Sequence, residues 1–143
     1  MLKDLPPPAA GALAMADRCG TCSPANRADW ASDGRTLALF WGVPFAAMLA
    51  SGLLLGATPR AVIWVSMLLV MSVACLVNAR RCGRVHCRFT GPFLLLMAVL
   101  VAGFAAGALP LGAHGWAYLG GGTLLGFAAL WWGSELAWGA FGR

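Results

Sequence analysis

Cys82, His86 and Cys87 fall within fifteen residues, NARRCGRVHCRFTGP, running from Asn78 to Pro92, together with Arg80, Arg81, Arg84 and Arg88. Two sulfurs and an imidazole at this spacing are ligands for a soft ion. A thiolate pair suits Hg(II) or Cu(I) in linear or bent coordination, whereas Zn(II) calls for four ligands. Cys19-Gly-Thr-Cys22 supplies a second pair at C-x-x-C spacing, which lets two sulfurs face one ion. Arg81, Arg84 and Arg88 neighbour Cys82 and Cys87, and positive charge there favours thiolate over thiol, raising nucleophilicity and metal affinity together. The positive end of a helix beginning at Pro92 adds to this for Cys87. Cys75 lies seven residues before Cys82; it is either a small buried apolar residue or a step that passes a soft ion from the membrane to the loop. His114 is a lone histidine in a short connector, read as a solvated loop residue. Other chemistries find little here: there is no Ser-His-Asp set, phosphate-cradling glycine loop or paired carboxylate, so no catalytic residue is assigned.

The elements that must carry these residues are set by composition. Of 143 residues, 60% are hydrophobic and 10% charged, with a mean hydropathy of +0.77, outside the range of soluble proteins. The fold class expected is all-α: a polytopic four-helix transmembrane bundle over 36–143, preceded by a disordered tail over 1–35 that holds the C-x-x-C. The tail follows from its charges and from Pro6 to Pro8, with no apolar periodicity. AAGALAMA before Asp17 imitates a signal peptide but is short and Ala-weak, so the tail is expected to be retained. Spans are expected at about 37–55, 61–77, 92–109 and 116–132, each near the hydrocarbon thickness at 1.5 Å per residue. Gly56 and Pro59 make the first turn, with Thr58 pushed from helical angles; Asn78 stops the second helix and Pro92 opens the third at its first position. Pro110, Gly112 and Gly115 separate the last two, and Trp131, Trp132 and Trp138 stand where an aromatic belt is expected.

Charge sets the orientation. Lys3, Arg18, Arg27 and Arg35 precede the first span, Arg80, Arg81, Arg84 and Arg88 lie between the second and third, and Arg143 follows the fourth; Arg60 alone falls elsewhere. Basic residues near span ends resist translocation, so both termini and the 78–90 connector are expected in the cytoplasm of a bacterial inner-membrane protein. The four connector arginines then anchor topology and meet anionic lipid, and nucleic acid is not the partner. Cytoplasmic cysteines are kept reduced, which favours thiol chemistry or metal over structural disulfides. No Asp, Glu, Lys or Arg falls inside the expected spans, against a proton-coupled pump. Small-xxx-small pairs at Gly52/Gly56, Gly103/Gly107 and Gly122/Gly126 suit packing within the bundle, a homodimer or a larger membrane complex.

Short outer loops, loop cysteines between two spans and a basic setting resemble the mercuric-ion uptake proteins of bacterial mercury resistance. The loop string also resembles that of small bacterial membrane proteins carrying NARRCGRxHCxxTGP. The first resemblance implies inward carriage of Hg(II) by thiol exchange, with Cys82 and Cys87 in the loop and Cys19 and Cys22 as further acceptors. Those transporters carry adjacent cysteines in the first span, and LALFWGVPFAAMLASGLLL has none, which leaves Cys75 as the membrane ligand. The function expected is binding or transport of a thiophilic ion (Hg, Cu or Zn). The alternatives are an enzyme, a quinone-linked membrane thiol–disulfide oxidoreductase, and a non-catalytic accessory subunit.

Overall fold

The computed structural model describes Trp30, Ala31 and residues 33–139, without the side chain of Cys82. Four long helices follow one another: α1 (Gly34–Leu54), α2 (Ala57–Cys82), α3 (Val85–Ala105) and α4 (Gly115–Trp138), with a 3-10 turn at Gly112–His114 before the last. Helices α1, α2 and α3 are long and apolar enough to cross a membrane. Helix α4 has similar length, but its glycines and tryptophans dilute its apolar character. Among the described residues the fold is all-helical, with three helices apolar enough to span a membrane and a fourth beside them.

Asp33 caps α1, its carboxylate accepting from the Thr36 N–H at 3.2 Å, which satisfies one orphan donor of the first turn. Within α1, Ala38–Gly42 winds as a π-helix. Pro44 comes one residue later, after Val43, and has no N–H to offer the Phe40 carbonyl; the wider turn relieves that clash. The turn also leaves Trp41 3% exposed, facing the bundle.

Helix boundaries depart from the sequence expectation, most informatively around the prolines and glycines. Helix α2 starts at Ala57 rather than 61, because Pro59 sits in the first turn, where an N–H has no intrahelical acceptor. Helix α3 ends at Ala105 rather than 109: Gly107 takes φ +76°, and Ala108 N–H and Gly107 N–H donate to the carbonyls of Gly103 and Phe104, a Schellman ending. The largest departure is the connector. Only Gly83 and Arg84 separate α2 from α3, with Gly83 at φ +65° donating to the Ala79 carbonyl. Asn78 is thus inside α2, and Pro92 is the eighth residue of α3. Pro92 points outward, while Ser72 Oγ donates to the neighbouring Gly91 carbonyl at 2.8 Å, a side-chain partner of the kind that lets an apolar helix hold a proline.

Successive helices pack in sequence, α2 against α3 most closely, around Leu68, Met71, Leu94, Met97, Ala98 and Val101. Helix α4 reaches α1 through rings: Trp41 meets Trp131 edge-on at 6.4 Å and Phe45 meets Phe127 at 5.3 Å. Gly126 allows Phe93 to lie where a Cβ would come within 2.3 Å of the ring. Of the three small-xxx-small pairs, Gly56 and Gly107 are helix-end residues with open space around them, so those two pairs do not form intrachain helix crossings.

Candidate functional site: a buried thiol pair at the helical corner

The turn at Gly83 and Arg84 folds α3 back on α2, so positions at equal distances from the corner face one another. Asn78 meets Cys87, its Nδ2 lying 3.6 Å from the sulfur, and Thr90 meets Cys75, with Oγ1 3.5 Å from that sulfur. Between these two steps the thiols of Cys75 and Cys87 lie beside one another. Both are free thiols with 0% exposure. Thr90 Oγ1 also lies 2.9 Å from the His86 carbonyl, so its one proton serves a carbonyl or a sulfur. The Trp41 indole N–H approaches Cys75 without forming a well-aligned bond.

The pairing differs from the one sequence spacing favoured. The connector was expected to be a loop in which Cys82, His86 and Cys87 converge. It is instead helical on both sides of the corner, and His86 and Cys87, three and four places beyond Gly83, are buried. Cys75, read from sequence as apolar filling or a step in a relay, is the residue that faces Cys87. Cys82 is the last residue of α2. Cys19 and Cys22 lie outside the described residues.

His86 occupies a different wall of the corner. Its Nδ1 is 2.6 Å from Glu135 Oε1, and its ring stacks on Trp131 at 3.9 Å and 16°. The same carboxylate oxygen accepts from Arg84 Nε at 3.3 Å. Glu135 thus orients both an imidazole and a guanidinium, and in a neutral imidazole its bond fixes which nitrogen carries the proton. The sequence reading ended the last span at 132, which left Glu135 outside consideration. Helix α4 continues to Trp138 and brings it in.

The arginines divide by partner. Arg84 engages Glu135, and Arg81 lies over the Trp30 ring at 5.1 Å. Arg80 and Arg88 are both exposed. Their sequence proximity to Cys87 does not make them contacts of its sulfur.

Among the described residues no three His, Cys, Asp or Glu side chains converge as a metal-binding group. The donor set that does converge is two sulfurs, flanked by neutral amide and hydroxyl groups, which matches a two-coordinate soft ion rather than tetrahedral zinc. An apolar cleft of about 460 Å³ between α1 and α4 is walled by Leu37, Trp41, Phe45, Phe127, Trp131 and Trp132. Trp41 and Trp131 separate it from Cys75 and His86 respectively.

The Asn78 side chain links the pair to the chain's N-terminal part. Its Oδ1 accepts from the Trp30 N–H at 3.2 Å while its Nδ2 faces Cys87. Trp30 also stacks on Phe40 at 4.9 Å and 9°. Asn78, Thr90, Glu135, Trp30, Trp41 and Trp131 were not assigned to the site from sequence. The one legible signal was the matched spacing Cys75-x-x-Asn78 and Cys87-x-x-Thr90, which places each polar residue one helical turn from a cysteine.

No family model matches the chain, and no curated protein or solved structure does so either.

Proposed function

We propose that this chain is a multi-pass protein of the bacterial cytoplasmic membrane that takes up a thiophilic ion, of the Hg(II) or Cu(I) kind, between Cys75 and Cys87. The observation that carries this reading is the juxtaposition of two free, fully buried thiols on neighbouring helices. Two-coordinate thiolate binding requires no further ligand, and the low-polarity surroundings favour the neutral bis-thiolate of Hg(II) over the singly negative one of Cu(I). Cys82, Cys19 and Cys22 serve as exchange partners, each step replacing one sulfur–metal bond by another. His86 is an auxiliary group at the corner. Helix α4 acts as the fourth span, with both termini and the corner on the cytoplasmic side, as the distribution of basic residues supports.

Hg(II) titration of the anaerobically purified protein tests the reading, followed by ultraviolet thiolate-to-metal absorption. The wild type is expected to fill a tight site that Cys75→Ser/Cys87→Ser lacks and Cys82→Ser keeps. Equal stoichiometry and affinity in the Cys75/Cys87 double variant would remove the pair from the site. The same sulfur contact supports a second reading, reversible disulfide formation by a membrane thiol oxidoreductase. A Cys75–Cys87 disulfide recovered from cells by acid trapping and peptide mapping would favour it.

A further inference from the structure

Between α1 and α2 runs an apolar groove of about 370 Å³, walled by Trp30 and Phe40 on one side and by Leu69, Val70, Val73 and Val77 of α2 on the other. Leu69, Val70 and Val73 are exposed, and the helical repeat puts all four on one face. That face continues past Val77 into Arg80 and Arg81, three and four residues on. Arg81 lies 5.1 Å over the Trp30 ring, which itself stacks on Phe40 at 4.9 Å, and Arg80 is exposed. An apolar strip thus leads to two guanidinium groups.

Length decides what fits the strip. At 1.5 Å per residue, Leu69 to Val77 covers about 12 Å, and the arginines stand roughly 5 Å further on. One leaflet contributes about 15 Å of hydrocarbon, half of the bilayer's roughly 30 Å. The groove therefore matches the chain region of a single leaflet, with its charges at headgroup height. A spanning helix of another protein needs a strip about twice as long.

Charge selects the headgroup, and the four arginines of the corner are not equivalent in this respect. Arg84 donates from Nε to Glu135, and Arg88 belongs to α3, one residue before Phe89, whose ring stacks on Trp138 of α4. The two described acids have roles of their own: Glu135 takes Arg84 and His86, and Asp33 caps α1 through the Thr36 N–H. Arg80 and Arg81 are the pair that continues an apolar groove. Guanidinium groups present paired N–H donors that match phosphate oxygens, and each basic residue at a membrane surface adds attraction for anionic lipid. A zwitterionic headgroup brings its own cation to the same place and gains less.

We propose that Arg80, Arg81 and the groove leading to them bind one anionic phospholipid from the leaflet on the corner side, its phosphate on the arginines and an acyl chain along Leu69 to Val77. The site rests on the membrane reading above and is independent of the metal. Trp30 joins its two halves, since the ring that carries Arg81 also walls the groove.

Full-length protein in nanodiscs of equal parts phosphatidylglycerol and phosphatidylcholine tests the site. One lipid at a time carries a photoreactive diazirine on its acyl chain, and crosslinks are mapped by peptide mass. The phosphatidylglycerol probe is expected to concentrate on Leu69 to Val77 over other exposed positions such as Val99 and Leu125. There it is expected to exceed the phosphatidylcholine probe about 25-fold, roughly fivefold for each arginine. Arg80→Gln and Arg81→Gln are each expected to lower that preference about fivefold, and the double variant to bring it to parity. Arg88→Gln is expected to leave it unchanged. Val73→Trp, a lipid-facing change that fills the groove, is expected to remove the crosslinks of both probes from this face. Crosslinks spread evenly around the bundle, or a preference that survives Arg80→Gln/Arg81→Gln, would overturn the site. So would a crosslinked dimer in which a second copy covers the groove. Release of the protein from the nanodiscs would overturn the membrane reading and the site with it, whereas retention with evenly spread crosslinks would overturn the site alone.

Discussion

The two ends of the bundle are built from similar parts and differ in what they bury. At the end away from the corner, Arg60 lies 5.1 Å over the Trp116 ring and donates from Nη2 to the Leu55 carbonyl at 2.8 Å, while Trp116 meets Trp64 and Phe104 edge-on. At the corner, Arg81 lies at the same distance over Trp30. Each end thus has an arginine on an indole. Behind the first stand Trp64, whose N–H goes to the Met48 carbonyl at 2.9 Å, and Phe104; behind the second stand Asn78, two thiols, an imidazole and a carboxylate. The first end closes a helical hairpin. The second buries groups whose state depends on protons, metals or oxidants, and it holds them with few alternatives.

That contrast is most easily broken at Glu135. Replacing it with Ala leaves His86 buried and Arg84 without its carboxylate, and is expected to cost about 3 kcal/mol, measured by denaturant unfolding in detergent. Glu135→Gln, which can still accept from both groups, is expected to recover about half. A cost under roughly 0.5 kcal/mol for Glu135→Ala would reduce the trio to a surface ion pair. At the other end, Gly115→Ala places a Cβ within 2.3 Å of the Phe104 ring, and the resulting shift of the ring away from Trp116 is expected to cost about 2 kcal/mol. Gly121→Ala, with open space around it, is the control and is expected to be neutral or slightly stabilising.

Asn78→Leu sharpens the comparison, because it removes both the Trp30 and the Cys87 contact while filling similar volume. About 1–2 kcal/mol is expected, accompanied by faster alkylation of Cys87, and an unchanged alkylation rate would uncouple the two contacts. The smallest effect is expected for Arg60→Gln, about 0.5–1 kcal/mol, with no change in the reactivity of either buried thiol. A change in Cys87 reactivity from that distant site would mean that the two ends are not independent.

How much of this was legible depended on the kind of signal. The apolar helices were evident, since long runs of apolar residues in a chain with few charges leave a membrane helix as the available solution. Gly56 is legible as a break, but Gly83, where α2 ends, is not singled out by the sequence, which places the stop at Asn78. Sequence rules make Pro59 and Pro92 boundaries, yet both lie inside helices: the first is free of penalty in an opening turn, the second is offset by a polar neighbour on another helix. Local rules for proline assume that no such neighbour exists.

The sequence by itself determined that the chain is helical and apolar, that three of its five cysteines and one of its two histidines lie within residues 75–87, and that arginines flank them. It did so because hydropathy, charge and residue spacing act locally along the chain. Only the tertiary structure decided that Cys87 faces Cys75, that His86 takes Glu135 from a helix 49 residues away, and that Asn78 ties Trp30 to the thiols. Those choices depend on how tightly one two-residue corner folds and on which faces two helices then present, and neither is encoded in any single stretch.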